Sequence, residues 1–322
     1  MIEEIFPNLF QLEIPLPGNP LKAINSYVIK TEGNTLIIDT GMNREECMNA
    51  MQSGLKKIDV DLRKTNFFIT HLHADHLGLV SSLAIDGSKI YFNKPDMDII
   101  NRQDFFERMN DFALLSGFPE DNLINAFKNH PGYKYKPSHL PKFTILKEGD
   151  ILDIGDYKFT CIETPGHTRG HICLYETNKK IFISGDHILN DITPNISLWS
   201  DKENPLNEYI KSLDKIYELD IEYVLPGHRS IFRDCKGRIN ELKLHHERRN
   251  NEILSIFDSY KLDAFQIASK ISWDLTYESF DLFPTTQKWF ATGETNAHLK
   301  YLMEKGLIQK ETQGKKILFS LQ

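Results

Sequence analysis

At 322 residues, 40% hydrophobic and 26% charged, the chain is long enough for one large and one small globular domain. No apolar run approaches the roughly 20 residues that cross a bilayer, and a formal charge of −7 argues against a chain built to hold a polyanion. Met1-Ile2-Glu3-Glu4 lacks the basic and apolar regions of a signal peptide, and Cys47, Cys161, Cys173 and Cys235 form no Cys-x-x-Cys pair, so free thiols and a cytoplasmic location are expected.

Residues 10–14 alternate polar and apolar, and a loop rich in proline and glycine follows at 15–20. Residues 26–30 and 35–39 are predicted to pair as a hairpin around Gly33-Asn34, ending in Asp39-Thr40-Gly41. A helix is predicted over 44–57, with Met48, Met51 and Leu55 on one side. The apolar strand 67–69 then runs into Thr70-His71-Leu72-His73-Ala74-Asp75-His76-Leu77-Gly78. Three imidazoles and a carboxylate so close together are costly to bury without partners. A divalent cation is the economical partner, because neutral imidazole and carboxylate are its usual nitrogen and oxygen ligands. Strand alternation would turn His71 and His73 the same way, and Asp75 and His76, beyond a turn, can face a second ion.

After a strand at 89–92 the character changes. Two helices, at 97–115 and 120–128, carry Phe105, Phe106 and Phe112, and an insertion over about 95–141 is expected to act as an aromatic lid walling a substrate cleft. His130 and His139 are expected at its surface. Strands at 150–154 and 157–163 lead to Thr164-Pro165-Gly166-His167-Thr168-Arg169-Gly170-His171. Further strands deliver Gly185-Asp186-His187 and Pro226-Gly227-His228. Four strands that each end in glycine, histidine or aspartate imply one shared site on loops held by a rigid scaffold. His171 and His187 are expected to stand behind the ligands.

Beyond 234, helices are predicted at 239–260, 263–271 and 285–305, then a hairpin around Gln313-Gly314. Residues 236–322 hold 13 lysines and arginines against 11 acidic residues, a net of +2 that leaves −9 for the remainder. That is no nucleic-acid footprint. Trp289, Phe290, Leu299, Leu302 and Met303 suggest an apolar helix surface suited to packing or to a homodimer.

The ordered set His71-x-His73-x-Asp75-His76, His167, Asp186 and His228 resembles the metallo-β-lactamase fold superfamily in its di-metal hydrolase form, over about residues 8–232. The resemblance implies an α/β fold, a four-layer αβ/βα sandwich of two mixed sheets with the site at its edge. It implies two divalent ions per chain, zinc ahead of iron or manganese. His71, His73 and His167 would hold the first ion, Asp75, His76 and His228 the second, and Asp186 would bridge them. Asp39 matches the aspartate that orients a ligand histidine. The bridging Asp186 separates the chain from true β-lactamases of this fold, and the glyoxalase II and lactonase-like group remains. A hydroxide between cations roughly 3.5–4 Å apart would attack a small-molecule ester, thioester or lactone, with Asp75 as the catalytic proton shuttle. The alternative is a nuclease or phosphodiesterase using the C-terminal part to bind RNA or DNA. Expected domains are a hydrolase at 1–238 and a winged-helix-like module at 239–322.

Overall fold

The computed structural model describes residues 1–257 and 260–322, with every side chain among them except that of Phe127. Residues 258 and 259, at the end of the helix expected over 239–260, lie outside the described residues. Two compact units divide the chain. The first comprises residues 1–101, 131–194 and 212–238, the second residues 102–130, 195–211 and 239–322.

The first unit holds two sheets. Strands β1 (Ile2–Phe6), β2 (Leu9–Pro15), β3 (Ala23–Lys30), β4 (Thr35–Ile38), β5 (Thr65–Phe68), β6 (Ile90–Asn93) and β7 (Phe143–Leu146) form a seven-stranded sheet in sequence order. Strands β8 (Ile151–Ile154), β9 (Tyr157–Glu163), β10 (Ile172–Glu176), β11 (Ile181–Gly185) and β12 (Tyr223–Pro226) form a five-stranded sheet ordered β12-β11-β10-β9-β8. Both sheets are mixed: β4 through β7 run parallel, as do β11 and β12, and the other pairs are antiparallel. Strands covered on both faces lose their alternation, which is why Thr35-Leu36-Ile37-Ile38 is buried throughout.

One apolar layer lies between the sheets, where Tyr27, Ile29, Ile38 and Phe68 meet Phe159, Leu174, Ile183 and Leu225. A second lies on the other face of the larger sheet, against the helix Glu45–Lys57. That helix buries Cys47, Met51, Gly54 and Leu55, and places Glu45 and Glu46 in its first turn and Lys56 and Lys57 in its last, as its dipole favours. This is the αβ/βα sandwich anticipated from the sequence.

Strand register sets where the site forms. Ile38 pairs with Phe68 across β4 and β5, so Asp39 and Thr70-His71 leave the sheet at the same edge. Gly185 pairs with Pro226 across β11 and β12, which brings Asp186 and His228 out together. Glu163 pairs with Ile172, and the loop between them carries His167. Open sheets containing parallel strands gather ligands outside the carboxyl ends of those strands.

The second unit differs from the module expected over 239–322. The helix Cys235–Ile256 from Ile239 onward, the helices Ala264–Ala268 and Thr285–Glu304 and the hairpin β13 (Ile308–Gln313) with β14 (Lys316–Leu321) are the anticipated elements. Residues 102–130, assigned from sequence to a lid on the hydrolase, belong to this unit instead. The cause is apolar packing: Met109, Ala113, Phe118, Leu123 and Ala126 share one core cluster with Trp289. Phe118 meets Phe265 and Trp289 edge-on at 5.5 Å each, and Trp199 stacks on Trp289 at 4.0 Å. His130 is half-buried rather than exposed; it lies 5.5 Å from the Phe290 ring, and burial pulls its pKa down to about 4. Trp289, Leu299 and Leu302 are 4%, 0% and 1% exposed, so the apolar patch that motivated a homodimer is covered inside this unit.

Truncating a buried phenylalanine removes both transfer energy and packing. Phe118→Ala is expected to cost about 3–5 kcal/mol of the second unit's stability, seen as a lower urea midpoint in tryptophan fluorescence. An unchanged midpoint would place Phe118 outside the core.

Candidate metal centre

Every residue singled out from the sequence as a ligand falls on the shared edge of the first unit, and the described residues form three overlapping groups there. His71, His73 and His167 make one, Asp75, His76 and His228 another, and His71, His76 and Asp186 a third. Within the first, His73 Nδ1 lies 3.0 Å from both His71 Nε2 and His167 Nε2. In the second, His228 Nε2 is 3.4 Å from Asp75 Oδ2. Asp186 stands between the two: Oδ1 is 3.5 Å from His76 Nε2, and Oδ2 is 3.5 Å from both His167 Nε2 and His228 Nε2.

The convergence of His71 and His73 does not come from strand alternation. Strand β5 stops at Phe68, and the helix Ala74–Leu77 starts immediately after His73. The turn between these elements aims the two rings at each other, with centroids 4.7 Å apart.

Backbone and side-chain anchors fix the ring orientations. Asp39 accepts from the Thr70 amide at 2.9 Å and the Thr70 hydroxyl at 2.8 Å, and its Oδ2 lies 2.7 Å from His76 Nδ1. This leaves His76 Nε2 facing the site. His228 Nδ1 donates to the Ala23 carbonyl at 2.7 Å, and its Nε2 also faces inward. His171 contributes differently: Nδ1 lies 2.8 Å from the Thr164 hydroxyl, while Nε2 accepts the Asp186 amide at 3.1 Å. His171 and His187 are both buried and lie in none of the three groups. Gly227 allows the close approach, since a Cβ there would sit 2.6 Å from Asp186 Oδ1 and 2.9 Å from His76 Cε1. His139 is exposed. Sequence reasoning assigned no role to Thr70, the Ala23 carbonyl or the His171–Asp186 bond. Thr70 alone had a signal, as a hydroxyl residue directly before the first motif histidine.

The donor set fits cations. His76 Nε2, His228 Nε2 and Asp186 Oδ1 are buried without a hydrogen-bond partner, and each such orphan costs about 1–3 kcal/mol unless something else satisfies it. Here the orphans face one another. Burial, with help from neighbouring histidines, holds His71 well below the usual imidazole range and His73 at about 3, so their lone pairs stay free. Burial opposes charge on His228 and Asp75 as well, but there the mutual attraction wins. Asp186 and Asp75 lift His228 to about 10, and His228 and His76 hold Asp75 at about 2. The chain's own charges therefore form a compact cluster of carboxylates and imidazoles that could hold a cation.

The fold and this cluster together define a metal-dependent hydrolase. The chain belongs to the metallo-beta-lactamase superfamily, whose family model matches residues 20–228. It is 28% identical over 305 residues to the probable metallo-hydrolase YqjP of Bacillus subtilis, spanning 91% of this chain and 92% of that one. It is 24% identical over 221 residues to human acyl-coenzyme A thioesterase MBLAC2, spanning 65% and 74%. The metallo-beta-lactamase family protein TTHA1429 of Thermus thermophilus superposes with a TM-score of 0.83 at 25% identity, over 99% of this chain and 100% of that one. No helix among the described residues is long and apolar enough to cross a membrane.

Two outcomes follow, one for the pH dependence of stability and one for bound metal. A histidine whose folded pKa is raised stabilises fully below its unfolded value and loses that contribution as pH rises through the folded one. Chelator-stripped protein should therefore lose stability from about pH 6.5 upward through the His228 value of about 10. Metal-loaded protein should show the opposite trend, because binding requires His228 to shed its proton. Melting temperatures of both forms across that range check this, and parallel trends would contradict the cluster as a metal site. Asp186→Ala should lower the bound metal measured by elemental analysis, whereas His139→Ala should leave it unchanged; equal values for the two variants would refute the assignment.

Proposed function

We propose that the chain hydrolyses small-molecule acyl thioesters with two divalent ions, zinc first, held in the first unit. The observation that carries this reading is the ring of buried and half-buried side chains whose ligand atoms face one another: His71, His73 and His167 on one side, Asp75, His76 and His228 on the other, and Asp186 between them. Seven ligands exceed what one tetrahedral ion can use. When bound, the ions supply Lewis acidity at a carbonyl oxygen and a water acidic enough to lose its proton near neutral pH.

The protein's own part is orientation and proton handling. Asp39 and the Ala23 carbonyl keep His76 Nε2 and His228 Nε2 turned inward. Asp75, 8% exposed, is ionised at neutral pH and stands at the site's edge. It takes the proton of the attacking water at its carboxylate and returns it to the departing thiolate. The thioester preference is supported by the acyl-coenzyme A thioesterase activity named for the human relative. Asp186, placed between the ligand groups, favours this chemistry over β-lactam hydrolysis.

The test is a panel of an acyl-coenzyme A, a γ-lactone, nitrocefin and bis(p-nitrophenyl) phosphate with zinc-loaded protein. Thiol release from the acyl-coenzyme A is expected, abolished by chelator and lowered by at least about 10²-fold in Asp75→Asn. Cleavage of the phosphodiester without the thioester would overturn the proposal in favour of a nuclease-like activity.

A further inference from the structure

Asp96 sits in the first turn of the helix Lys94–Ile100, inside the stretch that sequence alone assigns to a lid. It is fully buried, and its carboxylate reaches both ligand loops of one group. Oδ2 accepts the Leu72 amide at 2.9 Å and the Thr168 hydroxyl at 2.8 Å. Oδ1 accepts the Gly170 amide at 2.6 Å. Leu72 is the residue between His71 and His73, and Thr168 and Gly170 closely follow His167. One carboxylate therefore ties together the backbones that carry His71, His73 and His167.

The chemistry of the strap requires a carboxylate. Two of these three donors are backbone N–H groups, which cannot turn away as a hydroxyl can. An amide at the same place must set its NH₂ against either the Leu72 or the Gly170 N–H, whichever way it is flipped. The fit is close on the far side as well: a Cβ at Gly170 would lie 2.6 Å from the Asp96 backbone nitrogen and 2.8 Å from its Cγ. The other ligand group has anchors elsewhere. His76 is anchored by Asp39 and His228 by Ala23.

We propose that Asp96 is a positioning residue for the ion held by His71, His73 and His167, fixing the spacing of the two loops rather than the tautomer of any ring. Outer partners of metal ligands commonly control affinity by about 10–100-fold; Asp96 does so through main chain. The inference rests on the two-ion reading above, and the experiment separates failure of one from failure of the other.

Chelator-stripped wild type, Asp96→Asn, Asp39→Asn, the double variant and Thr168→Val are titrated with zinc against a chromogenic chelator, with melting temperatures recorded in parallel. Wild type should bind two ions; binding of only one would count against the two-ion reading itself. Asp96→Asn should weaken one of the two affinities by about 10–100-fold and leave the other unchanged. Asp39→Asn, whose partner Thr70 also lies 3.0 Å from His71 Nδ1, should weaken the other one most, so that the double variant loses both. Thr168→Val, which keeps both backbone bonds, should shift the same affinity as Asp96→Asn by less, and it decides the matter if Asp96→Asn does not fold. A double variant no worse than either single one, equal weakening of both ions in Asp96→Asn, or an unshifted Thr168→Val would each overturn the inference.

Discussion

The contact on which the site depends is the buried Asp39 carboxylate between the Thr70 amide and hydroxyl and the His76 ring. It joins the carboxyl ends of two adjacent parallel strands, β4 and β5, at the point where both chains leave the sheet. A charge this deep, 2% exposed, is tolerable only with such partners. Asp39 also adopts φ of +57°, a left-handed turn that aspartate accepts more readily than most residues. The turn sends the carboxylate back toward Thr70. From there the constraint passes outward: His76 Nε2 faces Asp186, Asp186 faces His167 and His228, and the two sheets contribute to one cluster.

The edge of this sandwich is an economical place for such a cluster. Aliphatic residues between the sheets make the scaffold rigid, so loops of a few residues can hold buried imidazoles with little freedom. The same surroundings keep His71 and His73 neutral and leave His76 Nε2, His228 Nε2 and Asp186 Oδ1 without a hydrogen-bond partner in the protein. Neutral nitrogens on one side and strongly coupled carboxylate–imidazole pairs on the other give the two ligand groups different proton affinities. On the two-ion proposal, loading by metal would be linked to pH more steeply on the Asp75–His76–His228 side.

The candidate ligands were legible in the sequence because they lie in short motifs after apolar strands. His71, His73, Asp75 and His76 occupy six residues, Asp186 and His228 follow strands that end in Gly185 and Pro226, and His167 follows Pro165-Gly166 in the loop after Glu163. The sandwich was legible for a related reason, since strands buried on both faces read as continuous apolar runs. What escaped was whatever depends on pairs distant in sequence. Asp96 meets Leu72, Thr168 and Gly170 across 24 to 74 positions, and nothing local distinguishes it from an ordinary helix-start aspartate. The phenylalanines of residues 102–130 were recognised as apolar, but their partner Trp289 lies more than 150 residues away, so periodicity showed a buried face without showing what buries it. Thr285–Glu304 misleads for another reason: it buries Thr292, Thr295, Asn296 and His298 among its apolar residues, so no polar face marks its orientation.

Diffraction from crystals of the zinc-loaded protein, recorded on both sides of the zinc absorption edge, tests the two-ion centre most directly. The account predicts two anomalous peaks roughly 3.5–4 Å apart. One should be coordinated by His71 Nε2, His73 Nδ1 and His167 Nε2, the other by Asp75, His76 Nε2 and His228 Nε2, with Asp186 touching both. A single peak, or two peaks that leave His228 and Asp186 uncoordinated, would contradict it.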